Sequence, residues 1–309
     1  MLRISAEKDK INSFLFSFFL FTPSIFSSPF GEVGWGGEGS GMGSGVCNIW
    51  GRAGSPAVAK RRRRFGGQLV FLSHHLSLLL ANMIKELRKD IIQWDVKAWS
   101  KALNFWEKNV NWDNVQNGLE LGGREGGLSL WLALKGKETI CSDLSNVENS
   151  AGALHKKYNI SSLIKYQDID ATNIPYENFF DIIVFKSILG GIGRNNHYEI
   201  QQQVLGQIYK ALKPGGKLLF AENLIASSFH QRLRKKFTGW GEAWRYVSIK
   251  EMNDLLKDFS SFTLKTTGVL GTFGRNEGQR NFLSTMDEIL FNNVCPENWK
   301  YIVYGIAEK

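Results

Sequence analysis

Cysteine is scarce in this chain: three residues, Cys47, Cys141 and Cys295, stand far apart among 309. No CxxC pair occurs, which argues against a disulfide framework or a zinc cluster and fits a reducing compartment. No apolar run reaches the roughly 20 residues of a membrane-spanning helix. No internal repeat is visible, so a solenoid is not expected. Basic excess is also slight where it would matter. The net charge is +9, but residues 1–82 hold nine Lys/Arg against four acids, leaving +4 for residues 83–309. Charge therefore gives no case for nucleic acid as a partner. What is present is ordinary for a globular protein, with 43% hydrophobic and 22% charged residues.

The first 82 residues do not read as a domain. A short apolar run at residues 11–21 has the length of a secretory leader's core. Ten of the 24 residues from Gly31 to Gly54 are glycine, which costs much ordering entropy and supplies no core. Then come Lys60-Arg61-Arg62-Arg63-Arg64 and a second apolar patch, Leu69 to Leu80. A leader, an organelle transit peptide and a basic nuclear patch each fit part of this. The reading adopted is a low-complexity extension, disordered or non-native, with Met83 as the true first residue. Every interpretable pattern begins after Met83. His74 and His75 receive no role.

From Met83 helical and strand periods alternate. Ile84, Leu87, Ile91, Trp94, Ala98, Ala102 and Phe105 recur at three- and four-residue spacing, predicting one helix over 83–109, packed on a sheet or closing over a ligand. Strands are expected at 118–121, 138–142, 162–166, 179–185, 217–221, 262–270 and 299–307. Helices are expected at 126–134, 146–158, 197–212 and 248–259, with a short one near 282–290. Pro214-Gly215-Gly216 reads as a turn. Helices between strands imply parallel crossovers and a doubly wound α/β sheet.

The strongest local signal is Gly122-Gly123-Arg124-Glu125-Gly126-Gly127 between the first strand and a helix. Glycines there admit a ligand close to the backbone, and the helix start offers free N–H groups. Asp143 lies 21 residues beyond Gly122, at the end of the second strand. An acid at that spacing hydrogen-bonds a ribose hydroxyl in nucleotide-binding sheets, though it could instead cap the next helix. Glu120 could merely organise the loop, and Asp170 could be a turn residue. Asp181 reads as structural, and Asp168 has no preferred role.

These residues resemble a class I S-adenosylmethionine-dependent methyltransferase, of the type 11-like group that methylates small molecules and glycans. The likeness covers about residues 115–225 well. Glu120 to Gly126 stand at the family's acidic-x-Gly-x-Gly-x-Gly loop, and Asp143 at its ribose acid. Asp170-Ala171-Thr172-Asn173-Ile174-Pro175-Tyr176 stands at its adenine-contacting stretch. Phe180 to Val184 match its fourth strand, and Leu212-Lys213-Pro214-Gly215-Gly216 the turn before its fifth. The resemblance implies a Rossmann-like, seven-stranded, mostly parallel sheet with an antiparallel last strand. It implies S-adenosylmethionine held by Glu120, Gly122, Gly123, Arg124 and Gly126, by Asp143 and Leu144, by Asp170 and Ala171, and by Lys186. It implies a cytoplasmic enzyme, where that cofactor is made and kept. One departure stands out: the family's middle glycine is Arg124, which would either crowd the cofactor's methionine end or pair with its carboxylate. A cofactor-fold protein that binds without transferring is the alternative this raises.

Methyl transfer from a sulfonium needs chiefly alignment, and a hydroxyl acceptor also needs a base. Lys186 and Ser187 follow the fourth strand, at the end of the sheet that faces ligands. His197, Glu222 and His230 are further candidates for the base. The insert at 230–246 carries Arg232, Arg234, Lys235 and Lys236 ahead of Trp240, Trp244 and Tyr246. Such groups suit a sugar or a phosphate-bearing small molecule; nucleic acid through stacking is a weaker option. RNA or protein methylation is weaker still, because Lys186-Ser187-Ile188-Leu189 replaces an Asn-Pro-Pro-Tyr-like motif.

Overall fold

The computed structural model describes residues 77–237 and 244–309. The chain divides into two units, Met1–Lys85 and Glu86–Lys309. In the first, residues 77–85 are helical. The leader, the glycine-rich stretch, the arginine run and His74–His75 lie outside the described residues. So do Trp240 and the side chains of Lys235 and Lys236.

The second unit is a doubly wound α/β sheet. Residues 86–92 form α1. Then follow α2 (Val96–Asn109), β1 (Asn117–Leu121), α3 (Gly127–Leu134), β2 (Glu138–Asp143), α4 (Val147–Lys157) and β3 (Ile164–Asp168). The chain continues through β4 (Phe180–Lys186), α5 (Tyr198–Ala211), β5 (Leu212–Asn223), α6 (Ser228–Phe237), α7 (Ile249–Leu255), β6 (Ser261–Thr267), α8 (Glu277–Met286) and β7 (Ile302–Glu308). The seven strands lie in the order β3-β2-β1-β4-β5-β7-β6. β1 to β5 pair in parallel, while β7 runs antiparallel to both β5 and β6. The order reverses between β1 and β4, the point where such sheets open a crevice beyond their carboxyl ends.

Strand alternation distributes the core over both faces. Ile182, Val184, Leu219 and Ala221 face one apolar cluster, and Ile183, Phe185, Leu218 and Phe220 the other. On the first face α2 buries Trp99 and Trp106 completely. The Trp106 indole N–H donates to the Gly305 carbonyl of β7 at 2.9 Å. Truncating either ring would cost about 3–5 kcal/mol.

Three expectations are corrected. The predicted helix over 83–109 is two helices, broken at 93–95, where Gln93 (φ 72°) and Asp95 (φ 47°) adopt left-handed conformations. Glu277 of α8 stabilises the new start by accepting from the Asp95 and Val96 amides at 3.1 and 2.7 Å. The apolar period runs across this break, because Trp94 and Trp99 still pack edge to face, 5.0 Å apart. The Pro214-Gly215-Gly216 segment is a bulge within β5, since Phe180 pairs with Leu212 and Ile182 with Lys217. The expected helix near 282–290 begins earlier, at Glu277, and ends in a π-helical turn, Asp287–Phe291.

Candidate functional site

A cavity of about 1350 Å³ opens at the carboxyl ends of the parallel strands. Its walls include Glu120, Gly122, Gly123 and Arg124 after β1, Asp143 and Leu144 after β2, and Asp170 and Ala171 after β3. Lys186 after β4 and Asn223 after β5 join them. Nine of the ten positions proposed for the cofactor thus lie on one surface; Gly126 does not.

The loop after β1 turns through Gly122 at φ +66°. A Cβ there would sit 2.4 Å from the Ile188 Cγ2, so glycine keeps the β1 and β4 turns in contact. Gly126 turns away from the cavity. Its carbonyl accepts from His155 Nε2 at 2.9 Å, while the Tyr166 hydroxyl donates to His155 Nδ1 at 2.8 Å. Burial holds that imidazole below its usual range and therefore neutral. At Gly127 a Cβ would meet the Ile91 carbonyl oxygen at 2.1 Å, so α1 rests directly on the start of α3.

Each acid on this side serves the backbone. Glu120 is buried and accepts from the Leu128 and Ser129 amides at 3.0 and 2.7 Å, closing the start of α3. Burial pushes its carboxyl up to about 7. Asp143 accepts from the Arg124 and Leu144 amides at 2.9 and 2.7 Å, tying the glycine loop to β2. It does not cap α4; Asp168 does, accepting from the Asn146 and Val147 amides at 2.9 and 3.0 Å. Asp170 shapes its own turn through the Thr172 amide and hydroxyl, both at 2.8 Å. Asp181 is structural: it receives the Gln116 and Asn117 amides and pairs with Lys213 at 2.6 Å. Arg124 adopts φ +49°, the conformation glycine would take there, and its side chain is exposed.

The opposite wall comes from distant segments. Trp94 and Asp95 enter from the break between α1 and α2, Arg234 from α6, Trp244 and Tyr246 from the segment after it, and Arg275 and Arg280 from beyond β6. Among these the insert residues were legible in the sequence, and Trp94 only as part of a helix that packs on the sheet or closes over a ligand. The Trp94–Asp95 break was hidden beneath an unbroken apolar period, and residues 272–280 carry no motif. The Arg234 guanidinium stacks over Tyr246 at 4.2 Å and donates to the Leu224 carbonyl at 2.7 Å. Trp244 lies against the backbone of Gly190, where a Cβ would fall 1.7 Å from its indole nitrogen. Asp95 accepts from the Tyr301 hydroxyl at 2.6 Å, and burial pushes it up to about 6.

Lys186 also belongs to the wall. Its Nζ is enclosed, has no hydrogen-bond partner among the described residues, and lies 4.3 and 5.1 Å from the Trp94 and Trp99 ring centres. Burial pulls it down to about 7, with Asp95 opposing.

The three proposed bases do not reach the cavity. His197 is exposed, pairs with Glu199 at 2.6 Å and does not line the cavity. His230 is buried between Phe273 and Tyr301, at ring distances of 4.7 and 5.6 Å. Burial and Arg234 press it down to about 3, so it stays a neutral packing group. Glu222 is fully buried beneath the turn after β4, and its oxygens accept from the Leu189 and Asn223 amides at 2.7 and 2.8 Å. It shapes that turn rather than facing a ligand. Among the described residues, no three His, Cys, Asp or Glu side chains are placed to hold a metal, and no helix is long and apolar enough to cross a membrane.

Residues 119–220 match a family model described as a methyltransferase domain. No curated protein matches the sequence. Two solved structures of Haemonchus contortus phosphoethanolamine N-methyltransferase 2 share the fold at a TM-score of 0.50, each over 68% of this chain. One is a complex with phosphomonomethylethanolamine and S-adenosylhomocysteine, at 16% identity, and the other holds S-adenosylmethionine, at 18%. The chain spans about half of their length, 53% and 52%. A Pyrococcus horikoshii protein aligns over 68% of this chain and 88% of its own, with 14% identity and a TM-score of 0.47. At such identities the likeness is one of fold. The sheet order and the glycine loop at the switch point agree with the match of residues 119–220 to a methyltransferase domain.

Proposed function

We propose that this protein transfers the methyl group of S-adenosylmethionine to a hydroxyl of a small molecule or sugar, in the cytoplasm. The observation that carries the reading is the single cavity joining the glycine loop, Asp143 and Asp170 to a separate aromatic and basic wall. Its volume exceeds the roughly 300–1,000 Å³ of a site for one drug-sized ligand, leaving room for cofactor and acceptor together. The residues fit the cofactor: a glycine cradle at Gly122, and acids at two adjacent strand ends for ribose and adenine. When bound, the cofactor supplies an already activated methyl group.

The chain's own residues then position and enclose. Asp143 is aligned by the two amides it accepts and offers its remaining lone pairs to a ribose. Gly122 and Gly123 admit the ligand against the backbone. Trp94, Trp244 and Tyr246 offer ring faces to a sugar or planar acceptor and exclude water. A second reading, binding without transfer, rests on Arg124 in place of glycine. Its glycine-like backbone and exposed side chain leave the loop's shape intact, which favours the enzyme.

Calorimetric titration of the full chain with S-adenosylmethionine and S-adenosylhomocysteine tests the proposal. Saturable binding, weakened about 10- to 100-fold by Asp143→Ala through loss of charged hydrogen bonds, is expected. A folded chain that binds neither overturns it. Binding with no transfer to any hydroxyl compound or sugar would point to the second reading.

A further inference from the structure

The cavity is divided by charge. Its β1–β3 side carries Arg124 and the carboxylates of Glu120, Asp143 and Asp170, each of the three committed to amides or hydroxyls of its own loops. The β4–β7 side carries four guanidinium groups, Arg194, Arg234, Arg275 and Arg280, against one carboxylate, Asp95. Asp95 already accepts from the Tyr301 hydroxyl at 2.6 Å. Lys186 adds no reachable group, because its Nζ is enclosed. A concave wall lined by one sign of charge focuses its field into the cavity and draws in a ligand of the opposite sign.

Packing between α6 and the segment after β6 assembles this wall. His230 of α6 lies against Phe273 and Tyr301. Arg234, one turn further along α6, is 5.9 Å from the Tyr301 ring, and the Arg280 charge acts on Asp95. Both arginines thus neighbour the Asp95–Tyr301 pair. Arg280 is aimed by its own loop: its Nε donates to the Gly274 carbonyl at 3.0 Å. A Cβ on Gly274 would fall 2.6 Å from the Arg280 Cγ, so glycine permits that approach. The Arg280 Nη1 lies 3.8 Å from Glu277, beyond hydrogen-bond distance. That carboxylate is committed to the Asp95 and Val96 amides. The Nη donors of Arg280 therefore remain for a ligand. Arg275 stands on the same wall with its side chain exposed.

A guanidinium fork matches the oxygens of a phosphate or a carboxylate in pairs. The size of the cationic excess separates the two. A phosphate monoester carries about −1.5 to −2 at pH 7, while a carboxylate carries a single charge. We infer that the acceptor bears a phosphate monoester, gripped by Arg280 and Arg275, with the buried Arg234 adding charge. This rests on the methyl-transfer reading above and narrows its small molecule or sugar to a phosphorylated one. The phosphate only positions the acceptor; no bond to it is made or broken.

Calorimetry of the full chain in phosphate-free buffer, with and without saturating S-adenosylhomocysteine, tests this with inorganic phosphate, glucose 6-phosphate, glucuronate and glucose. Glucose 6-phosphate should bind about 10-fold more tightly than glucuronate or glucose, and inorganic phosphate should compete with it. Arg280→Gln should weaken glucose 6-phosphate about 10- to 100-fold, and Arg280→Lys, which keeps the charge but loses the fork, should weaken it less. Arg275→Gln, at an exposed position that does not bear on folding, should weaken it about two- to fivefold. S-adenosylhomocysteine affinity should be unchanged in all three variants. Failure of both inorganic phosphate and glucose 6-phosphate to bind overturns the inference. So does glucuronate binding as tightly as glucose 6-phosphate, or an affinity indifferent to Arg280→Gln. Variants that weaken S-adenosylhomocysteine instead would assign the arginines to the cofactor, which also overturns it. If the unaltered chain binds no S-adenosylhomocysteine, the methyl-transfer reading itself falls; if it does and the phosphate compounds do not bind, only the phosphate assignment falls.

Discussion

On the β1–β3 side of the cavity, every acid is fixed by backbone amides or hydroxyls of the strand-end loops around it, as in the Asp143 bonds to Arg124 and Leu144. On the β4–β7 side the wall is assembled from side chains far apart in sequence: Trp94, Lys186, Trp244 and Arg280. The first half is a loop device, in which strand ends and glycines dictate the shape. The second half exists only because a helix break, an insert and the segment after β6 converge. A glycine loop can therefore specify a cofactor class, while acceptor choice is free to vary in segments that do not build the sheet.

Four changes would break or sharpen that contrast. The largest effect is expected at the seam. Gly122→Val places a β-branched residue at φ +66° and drives a Cβ within 2.4 Å of Ile188. It should cost about 3 kcal/mol or more, read as a lower urea midpoint, and abolish binding to both halves together. Gly190→Ala displaces the Trp244 indole. It should cut kcat/KM for the acceptor about 10- to 100-fold, a loss of about 1–3 kcal/mol, and leave the calorimetric affinity for S-adenosylhomocysteine unchanged. Equal loss at both sites would show that the halves are not separable.

A third test uses pH. Lys186 is pulled from 10.5 to about 7 in the fold, so between those values the unfolded chain holds a proton that the folded one lacks. Its contribution to stability is full above 10.5 and is lost as pH falls through 7, with a slope of at most about 1.4 kcal/mol per pH unit. Glu120 and Glu222, pushed from 4.5 to about 7, act oppositely: their contribution is full below 4.5 and is lost as pH rises through 7. Urea unfolding at pH 5–10 should show Lys186→Met removing the rise above pH 7 and sparing the fall below it. The smallest effect is expected at Arg124→Gly. The residue already holds a glycine-like φ of +49°, so the change should stabilise by at most about 1 kcal/mol and alter cofactor affinity less than threefold.

Much of the fold could be read from local order. The periods of β1 to β5 and their helices lay within a few residues of the structure, because consecutive apolar residues in a doubly buried strand and amphipathic helices leave direct marks. The residues proposed for the cofactor converged for the same reason: strand ends in a parallel sheet lie together. The catalytic candidates did not. His197, His230 and Glu222 are chemically suitable side chains, but one faces solvent and two are walled in by packing. Nothing in a sequence distinguishes a histidine stacked between Phe273 and Tyr301 from one that meets a ligand.

The sequence by itself determined the sheet, its switch point and the glycine loop, because each depends on residues adjacent in the chain and on the fixed periods of helix and strand. The tertiary structure alone decided which groups border the cavity and how far burial shifts their protonation. The broken helix that brings Trp94 over Lys186, and the burial that pulls that amine toward neutrality, depend on segments about 90 residues apart meeting in one place. Desolvation is a property of the packed surroundings and not of the residue, so no local pattern could have announced it.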